Sequence, residues 1–189
     1  AFGGMAADAM GVGESLKGLK ILDVAAGSGA WSLAFLGKDP TSTATAIDFE
    51  PVLKMAEEKA KMLGLRDRFQ LMPGNIREMD FGKEIYDLVI LGNICHSEGS
   101  VHSASLILKS AKSLKAGGKI IIADSIPDDD RRGPLSPLLF ALNMLANTME
   151  GGTFTLAEYT QWLSSAGMKN VSTLSIPAPG SPPLIIAEK

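Results

Sequence analysis

The stretch Asp23-Val-Ala-Ala-Gly27-Ser28-Gly29-Ala30 puts a carboxylate and two glycines into one short segment. Glycine lets a backbone approach a ligand closely, and a helix that opens here offers free N–H groups. A second acid, Asp48, ends the apolar run before Phe49. A carboxylate at the end of a buried second strand is placed to accept both hydroxyls of a ribose. Its alternative role is a charge favoured by the helix dipole ahead of Pro51. In Pro73-Gly74-Asn75-Ile76 the Asn75 amide is positioned to meet the exocyclic amine of an adenine, with Ile76 and Phe49 on its two faces. A plain turn is the competing reading. These residue types describe a nucleoside site.

Two cofactor readings compete for the glycine loop. A dinucleotide fold wants G-x-G-x-x-G, and here Ser32 occupies the third glycine position. The acidic-x-(Gly/Ala)-x-Gly-x-Gly loop of S-adenosylmethionine (SAM) enzymes fits throughout. SAM carries no pyrophosphate, so the loop passes its amino-acid moiety, and Asp23 can face the ammonium directly or through water. Asp48 suits either cofactor.

These residues need elements to hold them. Lys20–Val24, Thr43–Ile47, Phe69–Met72, Tyr86–Leu91 and Lys119–Ala123 read as short buried strands. Between them Ala30–Leu36, Pro51–Leu63 and Val101–Leu114 have helical spacing, with Gly64 and Gly117–Gly118 as stops. Alternation of this kind predicts a parallel sheet covered by helices on both faces. Pro134–Met149 then reads as an apolar helix, and Thr155–Ala166 as a helix with a Thr155/Glu158 capping box. Val171–Ser175 and Leu184–Ala187 are strands whose short Ile176–Pro183 connection forces antiparallel pairing.

Composition sets the outer limits. A chain of 189 residues with 46% hydrophobic and 21% charged content fits one globular domain. A net charge of −3 argues against a nucleic-acid partner. No apolar run reaches the ~20 residues of a membrane span, and Ala1–Gly13 lacks the pattern of a signal peptide. The single cysteine, Cys95, excludes an internal disulfide and demands no oxidising compartment, so a cytoplasmic location is expected. The Asp128–Asp130 run beside Arg131 and Arg132 reads as a solvated loop, and no metal is assigned.

The sequence resembles the class I SAM-dependent methyltransferases. Within them it is similar to the catalytic domain of the small-molecule O-methyltransferases of the caffeate, acetylserotonin and bacterial polyketide type. The residues that carry this are ILDVAAGSGAWSLAF (21–35), TAIDFEPVL (45–53), LMPGNI (71–76), ILGNICHS (90–97), LKAGGKIIIAD (114–124) and GTFTLAEYTQWLSSAGMKNV (152–171). The resemblance implies a Rossmann-like α/β fold, a seven-stranded sheet of order 3-2-1-4-5-7-6 with the last strand antiparallel. It implies SAM as cofactor, S-adenosyl-L-homocysteine (SAH) as product, and Asp23, Gly27, Ser28, Gly29, Asp48, Phe49, Gly74, Asn75, Ile76 and Asn93 as the cofactor-binding set. The implied reaction is methyl transfer to a hydroxyl of a hydrophobic, aromatic or polyketide-like molecule. Transfer to nitrogen or carbon, a non-catalytic SAM-fold subunit and an NAD-dependent oxidoreductase are the rival readings.

Transfer to a hydroxyl needs a base, and histidine titrates near neutrality. Of the two histidines, the resemblance puts the base at His96, after strand four, while His102 reads as a surface residue. Asp124 ends neighbouring strand five and can orient the His96 ring. Relatives carry a second acid where Thr153 stands here, with Glu150 falling several residues early. The resembled family walls its acceptor pocket with the segment 134–149, which nominates Met144 and the polar pair Asn143 and Asn147 for the substrate. Relatives also carry an N-terminal helical dimerisation domain. Residues 1–18 read as the remnant of its linking helix in a single catalytic domain over 1–189, which leaves a homodimer possible without that domain.

Overall fold

The computed structural model describes residues 2–177 and 183–189. In chain order it contains α1 (Phe2–Ala9), β1 (Lys20–Val24), α2 (Ser32–Lys38), β2 (Thr43–Asp48), α3 (Glu50–Met62) and a 3₁₀ turn (Arg66–Arg68). There follow β3 (Phe69–Pro73), β4 (Tyr86–Gly92), α4 (Cys95–Ser113), β5 (Leu114–Ala123), α5 (Leu135–Asn147), α6 (Leu156–Ser165), β6 (Lys169–Leu174) and β7 (Leu184–Glu188). The strands form one sheet in the order β3-β2-β1-β4-β5-β7-β6. The pairs among β1 to β5 are parallel, and β7 runs antiparallel to both β5 and β6. The expected fold class is the observed one. Residues 178–182 of the expected Ile176–Pro183 connection lie outside the described residues.

The central strands β1, β2 and β4 and the end of β5 are buried on both faces because helices cover both, whereas the edge strand β6 is mostly exposed. Successive residues point to opposite sides. On β1, Ile21 joins the core under α2 and α3 with Phe35 and Ala56, while Leu22 joins the core under α4 and α6 with Leu106 and Tyr159. The α1 helix buries Ala6 and Ala7 and ties Asp8 to Lys38 at 2.7 Å. Among the described residues no helix is long and apolar enough to cross a membrane.

Several boundaries differ from the sequence pattern by a few residues, and the larger shifts fall at α4, β5 and β6. The helix expected to begin at Val101 begins at Cys95, and Gly99 (φ 73°, ψ 172°) kinks it. Apolar periodicity detects only the part beyond the kink. The Gly117–Gly118 pair lies inside β5, where the Gly117 N–H donates to the Lys189 carbonyl and the register against β4 shifts. It marks a bulge, not a helix stop. The C-terminal strand pair begins earlier, with β6 at Lys169.

Candidate active site

The C-terminal ends of β1, β2, β4 and β5 meet at one edge of the sheet, where a parallel α/β fold places its ligands. The loop after β1 turns through three positive-φ residues, Ala25, Gly27 and Gly29. At Gly27 (φ 56°) no atom stands within 4 Å of where a Cβ would project, so conformation alone selects glycine and the space above the loop stays open. At Gly29 a Cβ would come within 3.1 Å of both Leu33 and Phe69, so packing selects it as well. Ser28 is half-buried between them.

Both acids of the expected cofactor set grip this loop. Asp48 accepts the Gly27 N–H on Oδ2 (2.9 Å) and the Phe49 N–H on Oδ1 (2.7 Å). Asp23 accepts the Ser32 N–H at 3.2 Å and the Ser32 hydroxyl at 2.5 Å, both on Oδ2. Asp23 is 1% exposed. Burial pushes its carboxyl up to about 6 against the Ser32 bonds that stabilise its charge, and the nearby Asp48 carboxylate adds to the rise. Ser32, the residue that spoils the dinucleotide pattern, therefore has a structural task at the start of α2. A hydroxyl in the first helical turn facing a strand-end acid is a readable signal that the sequence reading passed over.

The remaining cofactor candidates are less uniform. Gly74 donates its N–H to the Asp48 carbonyl, and its missing Cβ leaves room for the Met79 thioether. Asn75 caps its own turn: Oδ1 accepts the Arg77 N–H and Nδ2 donates to Glu78. Its amide is thus engaged locally. Ile76 is packed into the core, whereas Phe49 is 56% exposed and presents an open ring. Asn93 (φ 61°) donates its N–H to the Ala123 carbonyl and so bridges the ends of β4 and β5.

Two small cavities share Asn93 and Asp124 as a common wall. One, of about 130 Å³, is bounded by Trp31 and Phe2 on the glycine-loop side. The other, of about 270 Å³, is bounded by His96, Ser125, Ser136 and Phe140 on the α5 side. Of the cofactor candidates, only Asn93 lines either of these two cavities. A wider groove of about 490 Å³ between α2 and α3 contains neither histidine nor carboxylate.

His96 stands in the first turn of α4, so the helix, not a loop, fixes it. Its Nδ1 lies 2.7 Å from Asp124 Oδ1, and its N–H donates to Asp124 Oδ2 at 3.0 Å. Asp124 also accepts the Ser125 N–H (2.7 Å) and the Tyr159 hydroxyl (3.3 Å). A carboxylate facing Nδ1 places the ring proton there and leaves Nε2 as the acceptor. Phe140 of α5 packs edge-on against the imidazole, with centroids 4.9 Å apart. Phe140 falls in the 134–149 segment expected to wall the acceptor pocket, whereas no sequence signal points to Ser125 or to the Tyr159 hydroxyl at this acid.

The other candidates separate cleanly. His102 lies outside the site and pairs with Glu150 at 2.9 Å, beside the Arg77–Glu98 ion pair. Thr153 is 4% exposed, and its Oγ1 has no hydrogen-bond partner among the described residues. Met144 is the inward-facing member of the proposed substrate trio. Asn143 and Asn147 are exposed, with Asn147 Nδ2 donating to the Asn143 side chain at 2.6 Å, and they line neither cavity. A helical spacing of four brought them together, but on the outer face. Asp129 accepts the Ala157 N–H and so caps α6. Among the described residues no cluster of three His, Cys, Asp or Glu side chains is placed to hold a metal. Cys95 is buried, which pushes its thiol up to about 12, with Asp124 adding to the shift.

Comparison with known proteins gives a consistent picture. A family model of the O-methyltransferase domain matches residues 6–169. The 3-hydroxy-5-methyl-1-naphthoate 3-O-methyltransferase of Streptomyces sahachiroi is 28% identical over 184 residues, covering 95% of this chain and 52% of that protein. Bovine (Bos taurus) acetylserotonin O-methyltransferase is 32% identical over 154 residues, covering 80% of this chain and 43% of that protein. A crystal structure of an O-methyltransferase family 2 protein from Planctomyces limnophilus, in complex with apigenin, superposes with a TM-score of 0.89 at 34% identity. That match covers 100% of this chain and 56% of the other. The chain spans about half the length of the curated relatives it matches.

Proposed function

The chain belongs to the O-methyltransferase family, and from that premise we propose that it binds SAM and transfers the methyl group to a hydroxyl of an aromatic or polyketide-like small molecule. The residues at the sheet edge fit the cofactor. Gly27 is an open cradle, Asp48 terminates β2, and burial pushes the Asp23 carboxyl up to about 6. Asp23 supplies the negative charge for the cofactor's ammonium, and Asp48 meets the ribose hydroxyls. When bound, SAM supplies a methyl group already activated on a sulfonium. What the chain must add is position and a proton acceptor.

The observation that carries this reading is the 2.7 Å contact between His96 Nδ1 and the buried Asp124, beside a cavity on the α5 side. It fixes the ring so that Nε2 takes the proton of an acceptor hydroxyl, and the carboxylate stabilises the imidazolium that results. Phe140 offers that cavity an apolar wall for a flat ring. The relatives' named acceptors, a naphthoate and acetylserotonin, are of this kind. Net charge −3 disfavours a nucleic-acid acceptor, and the lone buried thiol suits the cytoplasm.

The test is His96→Ala in the intact protein, assayed by mass gain of one methyl on a panel of phenols. SAH binding should be retained while turnover falls about 10²- to 10⁴-fold, the usual weight of a general base. Full turnover in this variant would contradict the assignment.

A further inference from the structure

Tyr159 belongs to none of the motifs that point to the cofactor or the base, yet it touches the acid behind the base. It lies in the second turn of α6, just beyond the Thr155–Glu158 capping box, and is fully buried. Its ring is held edge-on by Phe154 (6.2 Å, 87°) and by Trp162 (5.4 Å, 83°), which places the hydroxyl beside the Cys95 thiol and Asp124. The hydroxyl lies 3.3 Å from Asp124 Oδ2, to which it donates. A phenylalanine would fill the same space without the cost of burying a hydroxyl. The hydroxyl is therefore the informative atom.

Asp124 accepts four hydrogen bonds, divided evenly between its oxygens. Oδ1 takes the His96 ring and the Ser125 N–H, and Oδ2 takes the His96 N–H and the Tyr159 hydroxyl. The two backbone donors are fixed by the chain, and the ring is the group being oriented. Tyr159 is the remaining side-chain donor. We propose that Tyr159 is a positioning residue: through Oδ2 it fixes the rotation of the Asp124 carboxylate that aims Oδ1 at His96, and by drawing charge from that carboxylate it lowers the proton affinity of the imidazole. The catalytic meaning of this rests on His96 being the base; the effect on the ring does not.

The surroundings isolate the effect. Burial, with Cys95 and Asp124 beside it, raises the Tyr159 phenol well above its usual range, so it remains a donor at every working pH. From α4 the network is faced by Cys95, whose thiol is also held neutral, and by Glu98, which is paired with Arg77 at 2.7 Å. From α5 come the Phe140 ring and Ser136, both uncharged. Glu150, in the connection before α6, is turned to His102 and Arg77.

The test follows the ring signals of the two histidines by NMR against pH in the intact protein, with His102→Gln assigning the pair. Tyr159→Phe keeps the aromatic cluster and removes the donor. The His96 midpoint should move up by about half a unit relative to the parent, with His102 unmoved and the acid limb of turnover shifting the same way. Biosynthetic 3-fluorotyrosine, a stronger donor, should move it down, and that shift should vanish in Tyr159→Phe. A His96 midpoint unchanged in a folded Tyr159→Phe variant overturns the proposal. If that variant fails to fold, an unmoved midpoint in the fluorotyrosine protein does so. Full turnover in His96→Ala would remove the base and leave the Tyr159 result standing, so the two failures are distinguishable.

Discussion

Two aspartates, each 1% exposed, lie at opposite edges of the central sheet. Asp39, between α2 and β2, sits where the strands begin. Its Oδ1 accepts the N–H and hydroxyl of Thr41, and its Oδ2 accepts the Gly18 N–H and the Ser42 hydroxyl. Arg68 ties the same corner by donating to the carbonyls of Leu36, Asp39 and Ser42. Burial opposes the Asp39 charge, but the bonds from Ser42, Thr41 and Gly18 outweigh it and hold the carboxyl well below the usual range. Asp23, at the opposite edge, has Ser32 alone as donor among the described residues and a second carboxylate nearby, and burial pushes it up to about 6. Equal exposure thus accompanies opposite titration: four hydrogen bonds hold the Asp39 charge, whereas Asp23 is more strongly desolvated, has fewer donors and lies near Asp48. The closed edge satisfies its carboxylate with its own donors, and the open edge does not.

The largest expected effect is at the closed edge. Asp39→Asn replaces one acceptor oxygen with an NH₂ group that faces existing donors, and should cost about 3 kcal/mol of stability. The shift of the urea midpoint measures it. The stabilisation from the charged form is present above the unfolded-state carboxylate value and is lost as pH falls below about 4. Asp23→Asn should act in the other direction. A carboxyl raised from 3.8 to about 6 penalises the ligand-free fold by about 3 kcal/mol once ionised. The amide oxygen can still accept from Ser32, so the variant should gain about 2 kcal/mol near neutrality. That penalty is full above pH 6 and fades as pH falls through 6 toward 4, so the gain should shrink in step. If both variants moved stability the same way, the contrast between the edges would fail. The smallest effect is at Thr153, where a buried hydroxyl has no partner. Thr153→Val should be neutral or stabilise by up to about 1 kcal/mol, read from the thermal midpoint.

What local patterns encode and what they conceal divide along physical lines. Strand order, the glycine loop, Asp48 and the Thr155–Glu158 capping box follow from local patterns, because buried parallel strands and helix starts each have their own signature. The His96–Asp124 contact was also anticipated, since neighbouring strand ends converge. The donors around it were not. Tyr159 lies 35 residues from Asp124 in the chain, and no periodicity encodes that approach. The start of α4 was missed because Gly99 breaks the pattern that detects helices. Asn143 and Asn147 were nominated by spacing alone, and spacing does not say which face of α5 meets solvent.

The central claim is that the open edge holds SAM through an ionised Asp23. Calorimetric titration of the intact protein with SAH, at about pH 7 and about pH 5, tests it most directly. The parent should bind about tenfold more weakly at the lower pH, where Asp23 takes a proton. Asp23→Asn should bind weakly and with little dependence on pH. Equal affinity in parent and variant at both pH values would contradict the account.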